Sequence, residues 1–365
     1  MVSLAWTKTP MLEHLGIRAL RVFDPETAHG LALKTLKIGL AGKFNAPDPA
    51  CLATRVFDRD FSNPVGIAAG FDKHCEALPA TLDLGPGFTE IGGVAPKPQA
   101  GNSKPRLFRL TADQAVINRF GFNSEGHEIV VSRLARNRKA GVSGIVGVNL
   151  AINKTTNDPA EDYAKGIKTF GAYADFLTIN VSSPNTAGLR DLQGEAALSA
   201  LLEHATEAHA TLSGSKKPSL LVKVAPDLND AEIAAISDLA LSYKDRGLSG
   251  LVVSNTTIAR PQGLKSAKAL EVGGLSGQPL FEPSTLVLAS FARRLDGRLP
   301  IIGVGGVASG AQAYAKIRAG ASLVQLYSAL VFHGPSLIFR IKRELANLLK
   351  RDGISHVADA VGLDL

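Results

Sequence analysis

Asparagine and lysine side chains recur at the ends of apolar runs in this chain, where their chemistry suits a planar, anionic ligand. Asn149, Asn180 and Asn255 each stand at or near the end of such a run. An amide offers a hydrogen-bond donor beside an acceptor, which matches the imide edge of a pyrimidine or a flavin. Lysines such as Lys73 and Lys223 can neutralise a carboxylate, a phosphate or a reduced flavin anion. The pattern predicts a site for a heterocyclic anion.

The same positions lack the residues that hydrolytic chemistry needs. A metal hydrolase requires clustered histidines and acids, and a glycosidase requires two carboxylates. Neither set occurs at the ends of the apolar runs. We therefore expect no metal site.

Lys223 lies inside Leu221–Ala225, in a run expected to be buried on both faces. A buried ammonium without a partner is costly, so an anion or strong acceptor should lie close to it. We favour a bound ligand as that partner, and a structural ion pair inside the fold remains the alternative.

Ser183 precedes Pro184 where the chain leaves the fourth apolar run. A serine is a poor base unless a relay or a polarised water helps it. No histidine and aspartate spacing supports a hydrolase triad around it. A plain Ser-Pro turn is the favoured interpretation from these residues alone, and a catalytic base is the other.

A glycine-rich segment, Gly303–Gly310, precedes a helical pattern and is typical of a phosphate site. Glycines let backbone N–H groups approach a phosphate, and the following helix presents its N-terminus to it. In barrel enzymes, phosphate sites favour the loops after strands seven and eight. This segment follows the seventh apolar run, which strengthens the interpretation.

Eight short apolar runs alternate with amphipathic stretches from residue 60 onward, as expected for a parallel sheet buried on both faces. Eight such alternations predict a (β/α)₈ TIM barrel, with a doubly wound sheet as the alternative. The runs are Pro64–Gly70, Phe88–Ala95, Gly144–Leu150, Phe176–Ser183, Ser219–Leu228, Gly250–Thr256, Leu299–Gly306 and Ser322–Ala329. The helices predicted between them include Glu195–Leu212, Asp230–Tyr243 and Gly310–Ala319.

Three insertions follow predicted strands, on the barrel face where active sites lie. They are Lys97–Gln114, which we expect to form a small hairpin, Pro184–Gly194 and Thr257–Gly277. Long loops in a compact domain are usually functional, so we expect these to cover the site as a lid.

The N-terminal segment 1–42 predicts two helices outside the barrel, which we expect to occupy 43–365. The first is Met11–Phe23, and the second begins after Asp24, with Leu33, Leu36 and Leu40 on one face. Leucines on one side and basic residues on another suit a membrane surface. A helical cap packed on the barrel fits the pattern equally well.

Composition narrows the class of protein further. The net charge of +7 allows an anionic surface or substrate, but aromatic residues make up only 6% and no basic block interleaved with them occurs, so we expect no nucleic-acid partner. Two cysteines provide no disulfide framework. We see no secretory leader and no run long enough to span a bilayer.

Four segments, taken in order, resemble the dihydroorotate dehydrogenase family, in particular its membrane-associated, quinone-dependent type. The likeness runs from about residue 10 to residue 350. The segments are Ala68–Lys73 (AAGFDK), Gly101–Arg109 (GNSKPRLFR), Asn118–Asn123 (NRFGFN) and Asn180–Thr186 (NVSSPNT).

The resemblance implies oxidation of dihydroorotate to orotate in pyrimidine biosynthesis, with FMN as cofactor and hydride acceptor. Ser183 would take the proton from C5, with Thr186 and Phe122 near that proton's exit route. The implied substrate-binding residues are Lys73, Asn118, Arg119, Phe120, Gly121, Phe122, Asn180, Asn185, Asn255 and Thr256. The implied FMN-binding residues are Ala69, Gly70, Lys73, Gly93, Asn149, Asn180, Lys223, Ser254, Gly277, Gly306, Tyr327 and Ser328.

The same resemblance implies a membrane quinone as electron acceptor, since serine at the base position and an N-terminal extension go with that type. His29, Arg109 and Tyr327 would line the quinone site. The chain would be peripheral, on the cytoplasmic side of the inner membrane of a bacterium-like cell. Relatives carry a hydroxyl residue where this chain has Gly93, which therefore offers the flavin only its backbone.

Two rival functions remain at this point. One is an FMN barrel that acts on another dihydropyrimidine with a nicotinamide partner, although the chain lacks a dinucleotide fingerprint and an iron–sulfur cysteine set. The other is a basic barrel that binds RNA or membrane without catalysis, which leaves the asparagine residues at the strand ends unexplained.

Overall fold

The computed structural model describes residues 9–40, 42–44, 46–186, 188–214 and 217–365. The strands, in chain order, are β1 (Thr54–Val56), β2 (Arg59–Phe61), β3 (Val65–Ile67), β4 (Phe88–Val94), β5 (Leu107–Leu110), β6 (Ala115–Asn118), β7 (Ile145–Leu150), β8 (Phe176–Asn180), β9 (Ser219–Val224), β10 (Leu248–Val253), β11 (Gly274–Gly277), β12 (Ile301–Val304) and β13 (Leu323–Leu326).

The α-helices, in chain order, are α1 (Thr9–Leu20), α2 (Pro25–Lys37), α3 (Leu78–Leu82), α4 (His127–Lys139), α5 (Pro159–Phe170), α6 (Glu195–Ala210), α7 (Asp230–Ser242), α8 (Phe281–Leu295), α9 (Gly310–Arg318), α10 (Ser328–His333) and α11 (Leu337–Arg351). Short 3₁₀ helices lie at Ala50–Leu52, Thr111–Asp113, Arg190–Gln193, Lys244–Arg246, Ala267–Leu270, Gln278–Leu280 and Val357–Ala360.

Eight parallel strands of the described chain close into a barrel, which confirms the predicted (β/α)₈ fold. They pair in the order β3, β4, β7, β8, β9, β10, β12 and β13, and β13 pairs with β3. Each of the eight predicted apolar runs overlaps one of these strands; seven contain the whole strand, and β10 begins two residues before its run. Because parallel strands end at the same side of a barrel, the polar residues that follow them meet there.

Strand register brings particular site residues together. Asn180 on β8 is in register with Lys223 on β9. On the other side of β8, Asn149 of β7 is in register with Thr178, two residues before Asn180. The three polar side chains therefore come from neighbouring strands near the same end of the barrel.

Aromatic rings fill the opposite, N-terminal end of the barrel. Phe88 lies edge-on to Phe61 and to Phe176, with ring centroids 5.5 Å and 5.9 Å apart. Gly66 and Gly147 leave room for these rings, because an added Cβ would lie 2.4 Å from the Phe88 ring and 2.1 Å from the Phe176 ring. We call this packed layer the barrel floor; its buried members are Val56, Phe61, Phe88, Phe176, Leu221, Val252, Ile302 and Leu323.

Two of the predicted insertions build a small sheet over the mouth of the barrel. β5 pairs antiparallel with β6, and β6 pairs antiparallel with β11. The hairpin predicted within Lys97–Gln114 lies further along the chain than predicted. Its first strand, β5, is inside that segment, and its second strand, β6, follows it. Treating Thr257–Gly277 as loop alone was also wrong, because its last residues form β11. Part of Pro184–Gly194 lies outside the described residues, at position 187.

The two predicted N-terminal helices are present, and the second has the predicted cap. The Asp24 carboxylate accepts hydrogen bonds from the backbone N–H groups of Glu26 and Thr27, at 3.0 Å and 3.1 Å. The prediction that Leu40 shares a helix face with Leu33 and Leu36 was wrong, because α2 ends at Lys37; Leu40 follows the helix and is 73% exposed. The part of the predicted extension at 1–8 lies outside the described residues, and its division from the barrel at 42/43 stays a prediction.

Candidate active site at the mouth of the barrel

One continuous cavity of about 520 Å³ runs from the N-terminal helices to the C-terminal ends of the barrel strands. Of the residues predicted to bind substrate, cofactor or quinone, the structure brings together along this cavity Ala69, Gly70, Lys73, Gly93, Asn118, Phe120, Gly121, Phe122, Asn149, Asn180, Ser183, Asn185, Lys223, Ser254, Asn255, Thr256, Gly277, Gly306, Tyr327 and Ser328, together with His29 and Arg109.

Arg119 is the predicted substrate-binding residue that does not line the cavity. Its guanidinium lies 2.8 Å from the Glu271 carboxylate and donates to the Val272 carbonyl at 3.0 Å. It also stacks over the Phe108 ring at 4.5 Å. Arg119 joins β6 to the segment before β11, so its side chain is not brought into the cavity, and its assignment to substrate binding stays a prediction.

A chain of hydrogen-bonded amides crosses the barrel beneath the mouth. The Asn255 amide N–H donates to Asn180 Oδ1 at 3.3 Å, and Asn180 Nδ2 donates to Asn149 Oδ1 at 2.9 Å. Asn149 Nδ2 in turn donates to Glu90 Oε1 at 2.8 Å, and Gln325 Nε2 donates to Glu90 Oε2 at 2.7 Å. We call these five residues the amide chain.

Glu90 and Gln325 were missed by the sequence analysis. Both are fully buried in barrel strands. A signal was available, because each is a polar side chain inside an apolar run, the feature that singled out Lys223.

Lys223 has no salt bridge or hydrogen bond through its ammonium group to another described residue. It is 6% exposed and lines the cavity. Burial lowers the pKa of Lys223, and the negative charge of Glu90 opposes that shift. The alternative of a structural ion pair is therefore only partly supported. The Glu90 carboxylate is near, but the Lys223 ammonium remains available to a ligand.

Lys73 holds a second buried ammonium group on the other side of the cavity. Its Nζ donates to Asn123 Oδ1 at 2.5 Å and lies 4.0 Å from the centroid of the Phe120 ring. Burial, reinforced by the charge of Arg106, lowers the pKa of Lys73 to about 7, and Glu26 acts in the opposite direction. A carboxylate ligand beside Lys73 would restore its charge.

Glycines shape the end of the cavity next to α9 as the sequence predicted for a phosphate. Gly305 and Gly306 have φ angles of +121° and +72°, a conformation that turns successive N–H groups to one side. A Cβ at Gly306 would lie 2.5 Å from that of Phe281. Beside this cradle, the hydroxyls of Ser276 and Ser328 are 2.8 Å apart.

Ser183 lies in the cavity wall, 7% exposed, with its Oγ accepting from the Asn185 backbone N–H at 3.3 Å. No histidine or carboxylate of the described residues hydrogen-bonds to it. Nearby in sequence, Thr186 Oγ1 is buried and has no partner among those residues. Thr186 does not itself line the cavity.

The helical end of the cavity combines aromatic rings with the charged side chains of Glu13, Arg21 and Arg109. His29 Nδ1 lies 3.4 Å from the Tyr327 hydroxyl, and the rings of His29, Phe71 and Tyr327 are 5.8–5.9 Å apart. Burial lowers the pKa of His29 to about 4, so the imidazole is neutral near pH 7. Arg109 donates to the Arg21 carbonyl at 3.0 Å.

Gly93 lines the cavity where little space remains for a side chain. A Cβ there would lie 3.2 Å from the Ala151 methyl carbon and 3.3 Å from both Asn149 Oδ1 and Phe122 Cδ1. Cys75 precedes α3 by three residues and is buried at 2% exposure.

The described residues offer neither a cluster of metal-ligating groups nor a helix that could cross a bilayer. Within those ranges, histidines, cysteines and acids do not gather in groups of three that could hold a metal ion. None of the described helices combines the length and the apolar character needed to cross a bilayer.

Comparison with known proteins gives consistent matches. The family model for dihydroorotate dehydrogenase matches residues 51–349. The chain is 53% identical to the dihydroorotate dehydrogenase (quinone) of Azorhizobium caulinodans over 95% of this chain and 97% of that protein. It is 49% identical to the mitochondrial dihydroorotate dehydrogenase (quinone) of Mus musculus, over 96% and 90%. A crystal structure of DHODH from Eimeria tenella in complex with ferulenol superposes with a TM-score of 0.90 at 41% identity, over 93% of this chain and 96% of that one.

Proposed function

The chain belongs to the dihydroorotate dehydrogenase family, and we propose that it oxidises dihydroorotate to orotate with FMN as hydride acceptor and a membrane quinone as final electron acceptor, a step of pyrimidine biosynthesis. The observation that carries the proposal is the single cavity in which an amide chain, two buried ammonium groups and a glycine cradle lie together, and which continues to the N-terminal helices.

The described residues fit FMN at one end of this cavity. Gln325 Oε1 is buried without a partner among them and lines the cavity, as does the Lys223 ammonium. Buried polar groups normally have hydrogen-bond partners, so we infer that a ligand pairs with both Gln325 Oε1 and the Lys223 ammonium. Asn149 and Ser254 would hold the flavin ring and its side chain, and the cradle at Gly306 would receive the phosphate. Bound FMN would supply the hydride acceptor and transfer two electrons to the quinone.

The substrate would lie between the amide chain and Lys73. The asparagine amides would pair with the pyrimidine imide groups, and Lys73 would bind the carboxylate, which keeps that ammonium charged. Ser183 would take the proton from C5, and the buried, unpartnered hydroxyl of Thr186 supports a role in moving this proton away from the site.

The quinone would enter between α1 and α2. The neutral His29 and the Tyr327 hydroxyl would face its carbonyl groups, and Arg109 would lie beside them. Apolar side chains exposed on and after these helices support contact with a membrane surface: Leu15, Val22, Phe23, Ile38 and Leu40. We place this contact at the cytoplasmic face of the inner membrane.

A direct test uses the purified, flavin-loaded protein without oxygen. Dihydroorotate alone should bleach the flavin absorbance, and a quinone should restore it, while fumarate and NAD should not. Bleaching that requires a nicotinamide would support the rival barrel oxidoreductase. A protein that cannot retain FMN after reconstitution contradicts the proposal.

A further inference from the structure

Glu90 is a buried carboxylate that the steps above do not use. It lies on β4, is 0% exposed, and accepts hydrogen bonds from the amides of Asn149 and Gln325. Burying a carboxylate inside a barrel is costly, and two amide donors offset only part of that cost. The position therefore calls for a further explanation.

A carboxylate differs from every other member of the amide chain because it can only accept hydrogen bonds. The atom of Asn149 that faces Glu90 must therefore be its NH₂ group, so its oxygen faces Asn180. That oxygen can only be paired by the NH₂ group of Asn180, whose own oxygen then faces Asn255. The acceptor-only group fixes the orientation of Asn149, and Asn180 and Asn255 continue the same direction; the Ser182 backbone N–H, which donates to Asn180 Oδ1 at 3.3 Å, supports it from the other side.

The far end of the chain agrees with this direction. Asn255 Oδ1 accepts from the backbone N–H of Thr256 at 2.8 Å, and a backbone N–H can only donate. Ser182 Oγ also donates to Asn180 Oδ1 at 3.0 Å. The chain therefore runs from a fixed donor to a fixed acceptor without a mismatched pair.

Gln325 extends the effect to the other side of Glu90. Since its NH₂ group is directed at the carboxylate, its Oε1 is turned away, and this is the oxygen left buried and unpartnered in the cavity wall. Glu90 thus causes Gln325 to present an acceptor to the ligand.

We propose that Glu90 is a positioning residue that orients the amides of Asn149 and Gln325, and through them the pattern of donors and acceptors that the site presents to its flavin and pyrimidine. The proposal rests on the proposed function for the identity of the two ligands. The direction of the amides themselves follows from the hydrogen bonds alone.

A simpler role for Glu90 is that of counter-ion to Lys223, whose pKa it raises. The two roles predict different results in a protein that lacks the lysine. If Glu90 acts only through charge, its replacement should have no effect once Lys223 is gone. If it orients the amides, the effect should remain.

The test is Glu90→Gln, made both in the wild type and together with Lys223→Met, with FMN affinity measured by flavin fluorescence on the apoprotein. A glutamine carries one donor and one acceptor, so it no longer imposes a direction on Asn149. We expect the FMN dissociation constant to rise at least about 10-fold in both backgrounds, as for a lost hydrogen bond to a charged group. Orotate affinity of the flavin-saturated protein should change less, because Thr256 still orients Asn255.

Asp162→Asn is the matched control. Asp162 is a buried carboxylate, 7% exposed, that accepts from the backbone N–H of Asn153 at 2.9 Å and does not line the cavity. Its loss should lower the melting temperature without changing FMN affinity. Glu90→Asp retains an acceptor-only group and should restore part of the affinity that Glu90→Gln loses.

Unchanged FMN affinity in Glu90→Gln, or a loss that disappears with Lys223→Met, overturns the proposal. A wild type that neither binds FMN nor is bleached by dihydroorotate contradicts the proposed function instead. If the variants do not fold, neutron diffraction on the wild type decides, since it distinguishes NH₂ from oxygen. The proposal is supported if the deuterated NH₂ group of Asn149 is directed at Glu90. It is overturned if the amide oxygen of Asn149 is directed at Glu90.

Discussion

Ser183 has the position expected for a base but none of the partners that usually activate one. Serine needs help to accept a proton, and the described contacts supply only the Asn185 N–H. A base at this position would therefore depend on a group that arrives with the substrate.

Replacing Ser183 by alanine should leave FMN bound but slow its reduction by dihydroorotate about 10²- to 10⁴-fold, as for loss of an acid–base group. Stopped-flow absorbance without oxygen measures this step directly. Ser183→Cys, which retains an ionisable group, is the control and should keep more activity. Equal rates for the alanine variant and the wild type would remove Ser183 from the role of base.

Lys73 makes orotate binding dependent on pH. Its pKa of about 7 means that the ammonium is charged below pH 7 and loses its proton above it. A bound carboxylate raises that pKa, so the orotate dissociation constant should rise with pH above about 7, by up to tenfold per unit, and level off at the pKa of the complex. Isothermal titration over this pH range tests the effect.

The pH dependence should vanish in Lys73→Met, which also binds orotate more weakly at low pH. His29 is not expected to contribute, since its pKa is already near 4. A pH dependence that survives in Lys73→Met would assign the titration to another group.

At the residue scale, a polar side chain at the end of an apolar run or inside it was the useful signal in the sequence. Asn149, Asn180 and Lys223 lie within β7, β8 and β9, and the closed barrel brings all three to one cavity. The side chain of Arg119 lies outside that cavity because a motif locates only the backbone, and the distant Glu271 pairs with the guanidinium. Glu90 was overlooked although it breaks an apolar run.

At the scale of elements, α2 forms one wall of the cavity and depends on a few local interactions. Asp24 caps its N-terminus, and Glu26 pairs with Arg106 at 2.7 Å, which attaches the helix to the segment before β5. Burial raises the pKa of Glu26, but Arg106 and Lys104 outweigh it and the net shift is downward. The helix thereby holds His29 beside Tyr327.

Asp24→Ala should loosen α2 at a cost of about 1 kcal/mol, the usual effect of losing an N-cap. Turnover with a long-tailed quinone should fall more than turnover with a soluble dye, because the helix wall guides the quinone. Steady-state assays with both acceptors measure the ratio. Asp24→Asn, which can still cap, should keep the wild-type ratio; equal losses with both acceptors would indicate a purely structural helix.

The sequence located barrel strands and missed the small sheet for a physical reason. Barrel strands are buried on both faces, so each is a continuous apolar run that can be recognised locally. β11 contains only Gly274–Gly277 and becomes a strand because β6, distant in the chain, pairs with it. Such pairing has no local signal. Leu40 was misplaced because a helix end depends on Gly39, whose φ of +80° stops the helical pattern.

At the scale of the whole molecule, the two ends of the barrel have different roles: one end is packed and stabilises the fold, and the other holds the candidate active site. The aromatic barrel floor fills one end and is closed by the β1–β2 hairpin through Val56 and Phe61. The other end carries buried charges such as Lys223 and Glu90, which favour a ligand at the expense of the unliganded fold. Substitutions in the barrel floor should therefore change mainly the free energy of unfolding, and substitutions at the mouth should change mainly ligand affinity.

Phe176→Ala removes a floor ring and should lower the free energy of unfolding by about 3–5 kcal/mol, with FMN affinity of the folded protein unchanged. Lys223→Met leaves the barrel floor intact and should weaken FMN binding about tenfold or more. Urea unfolding of the apoprotein and fluorescence titration with FMN measure the two quantities separately. If Phe176→Ala weakened FMN binding as strongly as Lys223→Met, the floor and the mouth of the barrel would be coupled, and the separation argued from packing would be wrong.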